Sequence, residues 1–139
     1  MIYIDTDVLV NFFIVQKKAP HLHPIAQEVM EQVTDRGLFF ISTLSLNELG
    51  FALAKCGEDR DTITEHLSGL YAFDPVSVAI DHLKRAVQIA YKVSFHHTSD
   101  CLHTAIAEQY CDELITFNGS EFNLIRHHTK LKITVLPGK

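Results

Sequence analysis

Acidic residues occur at three separated points of this 139-residue chain where a predicted strand ends or a predicted helix begins. Asp5 ends a short β-prone run, Glu48 lies in the first turn or so of a predicted helix, and Asp100 opens another helix. Carboxylate oxygens are the ligands that Mg²⁺ and Mn²⁺ prefer. Such an ion neutralises a phosphodiester oxygen and lowers the pKa of a bound water, which then attacks phosphorus. The pattern therefore predicts metal-assisted phosphodiester cleavage.

Each of these residues also has a purely structural interpretation. Asp5 could be a turn residue after a strand, Asp100 an ordinary first-turn helix acid, and Asp7 a helix N-cap. Asn118 is followed by Gly119, and this pair is a turn signal by itself. Taken together, the acids favour a metal site, whereas capping and metal contact both remain open for Asp7.

The elements that must position these residues alternate between strands and helices. The predicted strands are residues 2–4, 38–41, 113–117 and 132–136. Five of the predicted helices are residues 8–18, 25–36, 61–71, 76–93 and 98–110. A sixth, between the second and third of these, follows the strand 38–41 and is capped by Ser42, Thr43 or Ser45. The helix 98–110 is capped by Thr98 or Ser99. Pro20 and the pair His23–Pro24 are expected to end the first helix.

This alternation predicts a three-layer α/β/α sandwich with a mostly parallel sheet of four to five strands, because no hairpin signal joins the strands. Ligands of such sheets bind beyond the carboxyl ends of the strands. Asp5 and Asn118 both fall at that edge, each directly after a strand. We therefore expect the candidate site there.

Composition narrows the classes of protein to consider. Hydrophobic residues make up 47% of the chain and charged residues 21%, as in ordinary globular proteins, and the length fits a single domain over residues 1–139. The formal net charge is −5. This charge argues against holding nucleic acid by phosphate neutralisation alone, although not against an enzyme whose bound cations meet the phosphate.

The cysteines and the N-terminus predict a soluble cytoplasmic protein. Cys56, Cys101 and Cys111 show no C-x-x-C spacing and are expected to be reduced thiols. The start MIYIDTDVLV lacks the basic region of a signal peptide, and no apolar run is long enough for a membrane span.

Four segments, in this order, resemble PIN domains, a nuclease family that includes the toxins of VapBC-type toxin–antitoxin pairs. The segments are IDTDVLV, STLSLNEL, TSDCLHTAIAE and LITFNGSEF. The resemblance implies a four-acid pocket that binds Mg²⁺ or Mn²⁺. Its first three acids correspond to Asp5, Glu48 and Asp100, and the fourth position, commonly Asp, is Asn118 here. This departure leaves the number of bound metals open.

The same resemblance implies supporting residues and partners. Asp7, Ser99 and Thr116 match polar positions that orient ligands or water, and Glu121 could partly substitute for the missing acid. The implied substrate is RNA, either single-stranded or tRNA-like. The implied protein partners are a cognate antitoxin that reaches the acidic pocket and a second copy of the chain, with no membrane contact.

Two other functions remain open from the sequence. The start YIDTDVLV also resembles the DxDx(T/V) motif of HAD-type phosphatases, in which Asp5 would be the nucleophile, although no acidic pair follows the strand 113–117. A degenerate PIN-like module that binds RNA or protein without cleaving is favoured by Asn118.

The histidines raise a further possibility. His96, His97 and His103 with Asp100 could form a zinc site, but the nine histidines are scattered along the chain, which indicates a His-rich composition instead. One local basic cluster is interpreted as a solvated face: Arg126, His127, His128, Lys130 and Lys132.

Overall fold

A computed structural model, which describes all residues from Met1 to Lys139, contains one sheet of four strands in the order β2–β1–β3–β4. The strands are β1 (Ile2–Ile4), β2 (Phe39–Phe40), β3 (Glu113–Thr116) and β4 (Lys132–Val135). Every neighbouring pair is parallel. The prediction of a mostly parallel sheet is confirmed, and β1, the first strand of the chain, lies between β2 and β3.

Seven α-helices connect and cover these strands. They are α1 (Thr6–Phe13), α2 (Leu22–Asp35), α3 (Thr43–Lys55), α4 (Arg60–Leu70), α5 (Ile80–Lys92), α6 (Thr98–Tyr110) and α7 (Gly119–Ile125). None of them combines the length and the apolar character needed to cross a membrane.

Helices cover both faces of the sheet, which makes the three predicted layers. Because successive side chains of a strand point to opposite faces, each strand contributes to two apolar cores. Ile4 and Ile115 pack with buried residues of α1, α2 and α3, whereas Tyr3 and Leu114 pack with buried residues of α5, α6 and α7. The two apolar cores therefore hold the sheet between two helical layers.

The first predicted helix is too long and the second begins too late. α1 ends at Phe13, where Ile14 takes an extended conformation, although the pattern predicted a helix over 8–18. α2 begins at Leu22, so Pro24 lies in its first turn instead of stopping a helix. A first-turn N–H has no acceptor within the helix, so proline loses no hydrogen bond there.

The long predicted helix 76–93 is also wrong at its start. α5 begins at Ile80, because Val76 forms a parallel bridge with Ser42 at the edge of the sheet. The Val76 N–H donates to the Ile41 carbonyl at 3.2 Å, and the Val76 carbonyl accepts from the Thr43 N–H at 2.9 Å. This pairing holds Val76 extended.

Helix starts near the candidate site differ from the predictions in detail. Ser42 caps α3 by accepting from the Ser45 N–H at 3.2 Å, as one of the three predicted caps. The N-cap of α6 is His97, whose side chain makes no capping bond, so the predicted caps Thr98 and Ser99 are wrong. The predicted turn at Asn118–Gly119 is instead the start of α7, a helix that the sequence pattern did not reveal.

Candidate metal centre at the carboxyl edge of the sheet

Asp5 lies directly after β1 and is 5% exposed. Its Oδ1 accepts from the Thr6 N–H at 2.9 Å, which makes Asp5 the N-cap of α1. Its Oδ2 accepts from the Thr116 hydroxyl, at the end of β3, at 2.7 Å. Both carboxylate oxygens are thus fixed by groups from two neighbouring strand ends, and Asp5 combines a structural role with a place in the site.

Asp7 lies in the first turn of α1 and is not the cap. Its Oδ1 accepts from the Phe117 N–H at 3.2 Å, and the Lys139 ammonium lies 3.7 Å from its Oδ2. Burial, followed by the neighbouring charge of Asp5, raises the pKa of Asp7 to about 7. Asp7 therefore exchanges a proton near neutral pH.

Glu48 lies at the start of the second turn of α3, close to the predicted first turn or so. Its Oε1 accepts from the Thr6 hydroxyl at 2.8 Å and lies 2.5 Å from His103 Nε2, and the Ser99 hydroxyl bonds to the same carboxylate. Burial acts to raise the pKa of Glu48, but the bonds from His103, Thr6 and Ser99 hold it below its usual value. Glu48 is therefore ionised and held in one orientation.

A buried chain of hydrogen bonds stands behind Glu48. His103 Nδ1 lies 2.6 Å from the Tyr3 hydroxyl, and that hydroxyl lies 2.7 Å from Ser42 Oγ and 3.2 Å from Ser45 Oγ. Burial acts to lower the pKa of His103, yet the bond to Glu48 raises it overall. This role of His103 was not predicted from the sequence. Its spacing of three residues from Asp100 places it on the same face of the helix as that acid, but does not identify Glu48 as its partner.

Asp100 lies in the first turn of α6 and faces Glu121 of α7. One ligand atom each from His97, Asp100 and Glu121 lie within 4.8 Å of one another. The Asn118 amide donates to Glu121, and His97 Nδ1 lies 3.4 Å from Glu121 Oε1 without an aligned hydrogen bond. Burial, the bond to Glu121 and the charge of Asp5 raise the pKa of Asp100 to about 9. Asp100 is therefore protonated at neutral pH and lies beside an ionised Glu121, whose pKa is lowered by the Asp100 carboxyl.

The predicted residues line one cleft, although they do not all meet at one point. Asp5, Asp7, Glu48, Asp100 and Asn118 surround a cavity of about 380 Å³. The closest group of potential ligands contains Asp100 but neither Asp5 nor Glu48. Ser99, Thr116 and Glu121 reach the site through their hydrogen bonds to these acids.

The donor set fits a divalent cation. Carboxylates from three separate elements face the cleft, and hard divalent cations take such oxygen ligands. Asp100 and Glu121 place carboxylate oxygens within 4.8 Å of each other, which is close enough for one cation to take both as ligands. The histidines considered for a zinc site do not converge, because His96 is exposed and His103 is bonded to Glu48, which leaves His97 alone near Asp100.

Comparison with known proteins agrees with this fold. Residues 2–127 match the family described as PIN domain. VapBC2 from Rickettsia felis, solved bound to a DNA fragment from its promoter, superposes with a TM-score of 0.71 at 19% identity, covering 99% of this chain and 100% of that chain. FitAcB from Neisseria gonorrhoeae gives 0.66 at 16% identity, with 96% of both chains covered. FitAB bound to IR36 DNA fragment gives 0.66 at 15% identity, covering 97% of this chain and 94% of that chain. No curated protein matches the sequence.

Proposed function

Because this chain belongs to the PIN-domain family, we propose that it is a divalent-metal-dependent endoribonuclease and the toxin of a toxin–antitoxin pair. The observation that carries the proposal is the single cleft that Asp5, Glu48 and Asp100 line at the carboxyl edge of the sheet. The PIN domain is a nuclease family, and the fold is that of the VapBC and FitAB structures over nearly the whole chain.

The residues of the cleft have separable roles in this proposal. Asp5, Glu48 and Asp100 hold Mg²⁺ or Mn²⁺, with Glu121 and Asn118 in support. When bound, such an ion supplies positive charge at the scissile phosphate and a water of lowered pKa. Asp7 accepts a proton at its carboxylate near neutral pH, because its pKa is about 7.

The hydrogen bonds around the acids keep their oxygens in place before substrate arrives. Thr6 and Thr116 fix the two oxygens of Asp5, and His103, supported by Tyr3, fixes Glu48. A site whose ligands are already oriented spends less free energy on ordering them when the ion and the RNA bind.

The two other functions that the sequence left open now differ in their support. Membership of the PIN family leaves the HAD-type phosphatase without support, since that function requires a different family. The degenerate module that binds RNA or protein without cleaving stays a second candidate, because Asn118 supplies a neutral amide where the family commonly has an acid.

Asp5→Asn tests the proposed nuclease. An asparagine can still accept from the Thr6 N–H and can donate to the Thr116 oxygen, so the fold should persist. Manganese-dependent cleavage of single-stranded RNA should disappear in Asp5→Asn, with melting followed by circular dichroism as the measure of folding. Asp74→Asn is the matched control, because Asp74 has φ 51°, a conformation that asparagine tolerates.

Equal turnover in wild type and Asp5→Asn would remove Asp5 from the active site. A wild-type protein that binds RNA but cleaves none of it with either metal would favour the degenerate module.

We also propose a homodimer through the outer face of α5. This helix has two apolar faces: Ala86, Ile89 and Ala90 are buried against the core, whereas a stripe at helical spacing is exposed. That stripe, called here the α5 stripe, consists of Ile80, Leu83, Val87 and Tyr91, and their exposures range from 44% to 82%. Exposed apolar stripes of this kind mark protein contacts.

The charges beside the α5 stripe suit a second copy of the same chain. Asp81 lies in the first turn of α5 and Lys92 in its last turn. Two copies of α5 packed antiparallel across a two-fold axis would place each Asp81 near the C-terminal end of the other copy's α5, which carries a lysine.

The proposed antitoxin covers the acidic cleft and reaches it with basic side chains, because only positive charge complements this set of carboxylates. We place the activity in the cytoplasm, in keeping with the three cysteines, none of which forms a disulfide.

A further inference from the structure

A second cleft, of about 710 Å³, adjoins the metal cleft and is rich in lysine. Lys17, Lys18 and Lys55 line it with a single acid, Glu58. None of these lysines lies within ion-pair distance of a carboxylate, although the chain has 17 acidic residues. Their charges are therefore available to a ligand, and we call these three residues the lysine tract.

The two clefts share a lining residue. Gln16 lines both of them, and its amide donates to Asn11, another residue of the metal cleft, at 2.9 Å. A strand that leaves the metal cleft at Gln16 would therefore reach the lysine tract.

An exposed aromatic ring stands at the mouth of the metal cleft on the same side. Phe51 is 69% exposed and follows Glu48 by three residues on α3, so both lie on the face of that helix that borders the cleft. Lys55, one turn further, holds its ammonium 5.4 Å from the centroid of the Phe51 ring. An open ring followed by lysines is the arrangement that binds single strands, through base stacking and phosphate contacts.

The charge of the molecule makes such a local site necessary for a polyanionic substrate. The net charge is −5, and the metal cleft is lined by carboxylates that repel phosphate. Binding energy for RNA beyond the scissile phosphate must therefore come from a restricted cationic surface.

We propose that Phe51 and the lysine tract bind single-stranded RNA next to the scissile phosphate, with one unpaired base on the Phe51 ring and the adjoining phosphates on Lys55, Lys17 and Lys18. A ring this exposed stacks on an unpaired base, whereas bases inside a duplex are already stacked on each other. The inference rests on the proposed function, since it extends the substrate of the same active site.

The first test measures RNA binding against salt, by fluorescence anisotropy of a short fluorescein-labelled oligouridylate. Asp5→Asn is the background, which prevents cleavage. Substitution of Lys17, Lys18 and Lys55 by Gln should weaken binding more than about tenfold and reduce the log–log salt slope by about 0.7 for each phosphate that is no longer neutralised. The matched control substitutes Arg126, Lys130 and Lys132 by Gln, which changes the net charge equally at another exposed cluster.

The stacking contact has its own variants. Phe51→Ala should weaken binding by about fivefold or more without changing the salt slope, because a stacked base contributes about 1–3 kcal/mol and carries no counterion. Phe51→Tyr should restore the affinity, since it keeps the ring.

A protection experiment on the unsubstituted protein tests the same site without depending on the folding of a variant. Cys56 is exposed and lines the same cleft as the lysine tract, whereas Cys101 is buried. The oligouridylate should slow the reaction of Cys56 with N-ethylmaleimide, measured by mass spectrometry with chelator present to stop cleavage.

Equal loss of affinity in the two triple variants, or unprotected Cys56 at saturating RNA, would overturn the proposal. So would a lysine-tract variant that loses its oligomeric state or a protein partner but keeps its RNA affinity. A wild-type protein that protects Cys56 and cleaves no RNA would contradict the proposed nuclease while leaving the binding site in place.

Discussion

The neighbouring carboxyl groups of Asp100 and Glu121 determine how the metal-free cleft responds to pH. The folded pKa of Asp100, about 9, lies above its usual 3.8. The unfolded chain therefore ionises at lower pH than the folded chain, and Asp100 opposes folding progressively as pH rises from about 4 to about 9. Because asparagine cannot ionise, Asp100→Asn should raise the melting temperature of the chelated protein, by an amount that grows with pH.

Melting of both proteins with chelator and with magnesium, at about pH 5 and about pH 8, measures this effect. Magnesium at about ten times its dissociation constant should stabilise the wild type by about 1.4 kcal/mol and the variant by less. If Asp100→Asn melts lower in chelator and magnesium shifts both proteins equally, Asp100 is an ordinary helix acid.

The substitution Asn118→Asp tests whether an amide in place of the fourth acid weakens metal binding. Its amide now donates to Glu121, so Asn118→Asp would place a carboxylate against that carboxylate. We expect the metal-free variant to melt lower through this repulsion, and Mn²⁺ to bind it more tightly because the pocket gains a charge. Isothermal titration with Mn²⁺ measures the affinity. Equal or weaker affinity would show that Asn118 lies outside the metal's reach.

The acidic residues of the site could be predicted from the sequence, but their hydrogen-bond partners could not. Asp5, Glu48 and Asp100 could be proposed from motif order and strand ends. The bonds that orient them join residues far apart in the chain, such as Tyr3 with His103, a separation of 100 residues. No local pattern encodes such a pairing. For the same reason neither the bond from His103 to Glu48 nor the position of His97 beside Glu121 could be predicted from the sequence.

At the scale of elements, the sequence predicted four strands and six of the seven helices. Periodicity identified the type of each element, while tertiary contacts decided the ends. Val76 fits a helical pattern but pairs with Ser42, and the seven residues of α7 are too few to show a period. Ends determined by a distant partner are not visible in a local window of sequence.

A half-buried carboxylate links α5, α6 and the segment that precedes β4. Glu108 of α6 accepts two hydrogen bonds from Arg85 of α5, at 2.9 and 3.0 Å, and one from the Thr129 hydroxyl at 2.7 Å. Glu108→Gln should destabilise the fold by about 1 kcal/mol, a figure kept low because Arg85 is more than one third exposed.

The contribution of Glu108 to stability depends on pH with the opposite sign to that of Asp100. Burial acts to raise the pKa of Glu108, but the bonds from Arg85 and Thr129 hold it below its usual 4.5. Its contribution is present above about pH 4.5 and is lost as pH falls through the lower, folded pKa. Urea unfolding at neutral pH and under acidic conditions should show the gap between wild type and variant closing in acid. Glu31→Gln, at an exposed position, is the control, and a gap that persists in acid would contradict the ion pair.

At the scale of the whole molecule, the α5 stripe predicts the assembly. Val87→Glu together with Tyr91→Glu should convert the proposed dimer into a monomer, because two charges would lie in an apolar contact. Both side chains are exposed in the single chain, so the melting of the monomer should change little. Light scattering measures the mass, and Leu124→Glu places a charge on another exposed apolar residue as the control. A monomeric wild type would contradict the interface.

The central position of β1 in the sheet determines when the cleft can exist during protein synthesis. Asp5 is translated near the start, yet the hydroxyl that fixes its Oδ2 belongs to Thr116, 111 residues later. At about 5–20 residues per second, a ribosome needs roughly 5–20 s to make the intervening chain. For that interval no nascent chain carries an assembled cleft, so the proposed nuclease cannot act before β3 has been made.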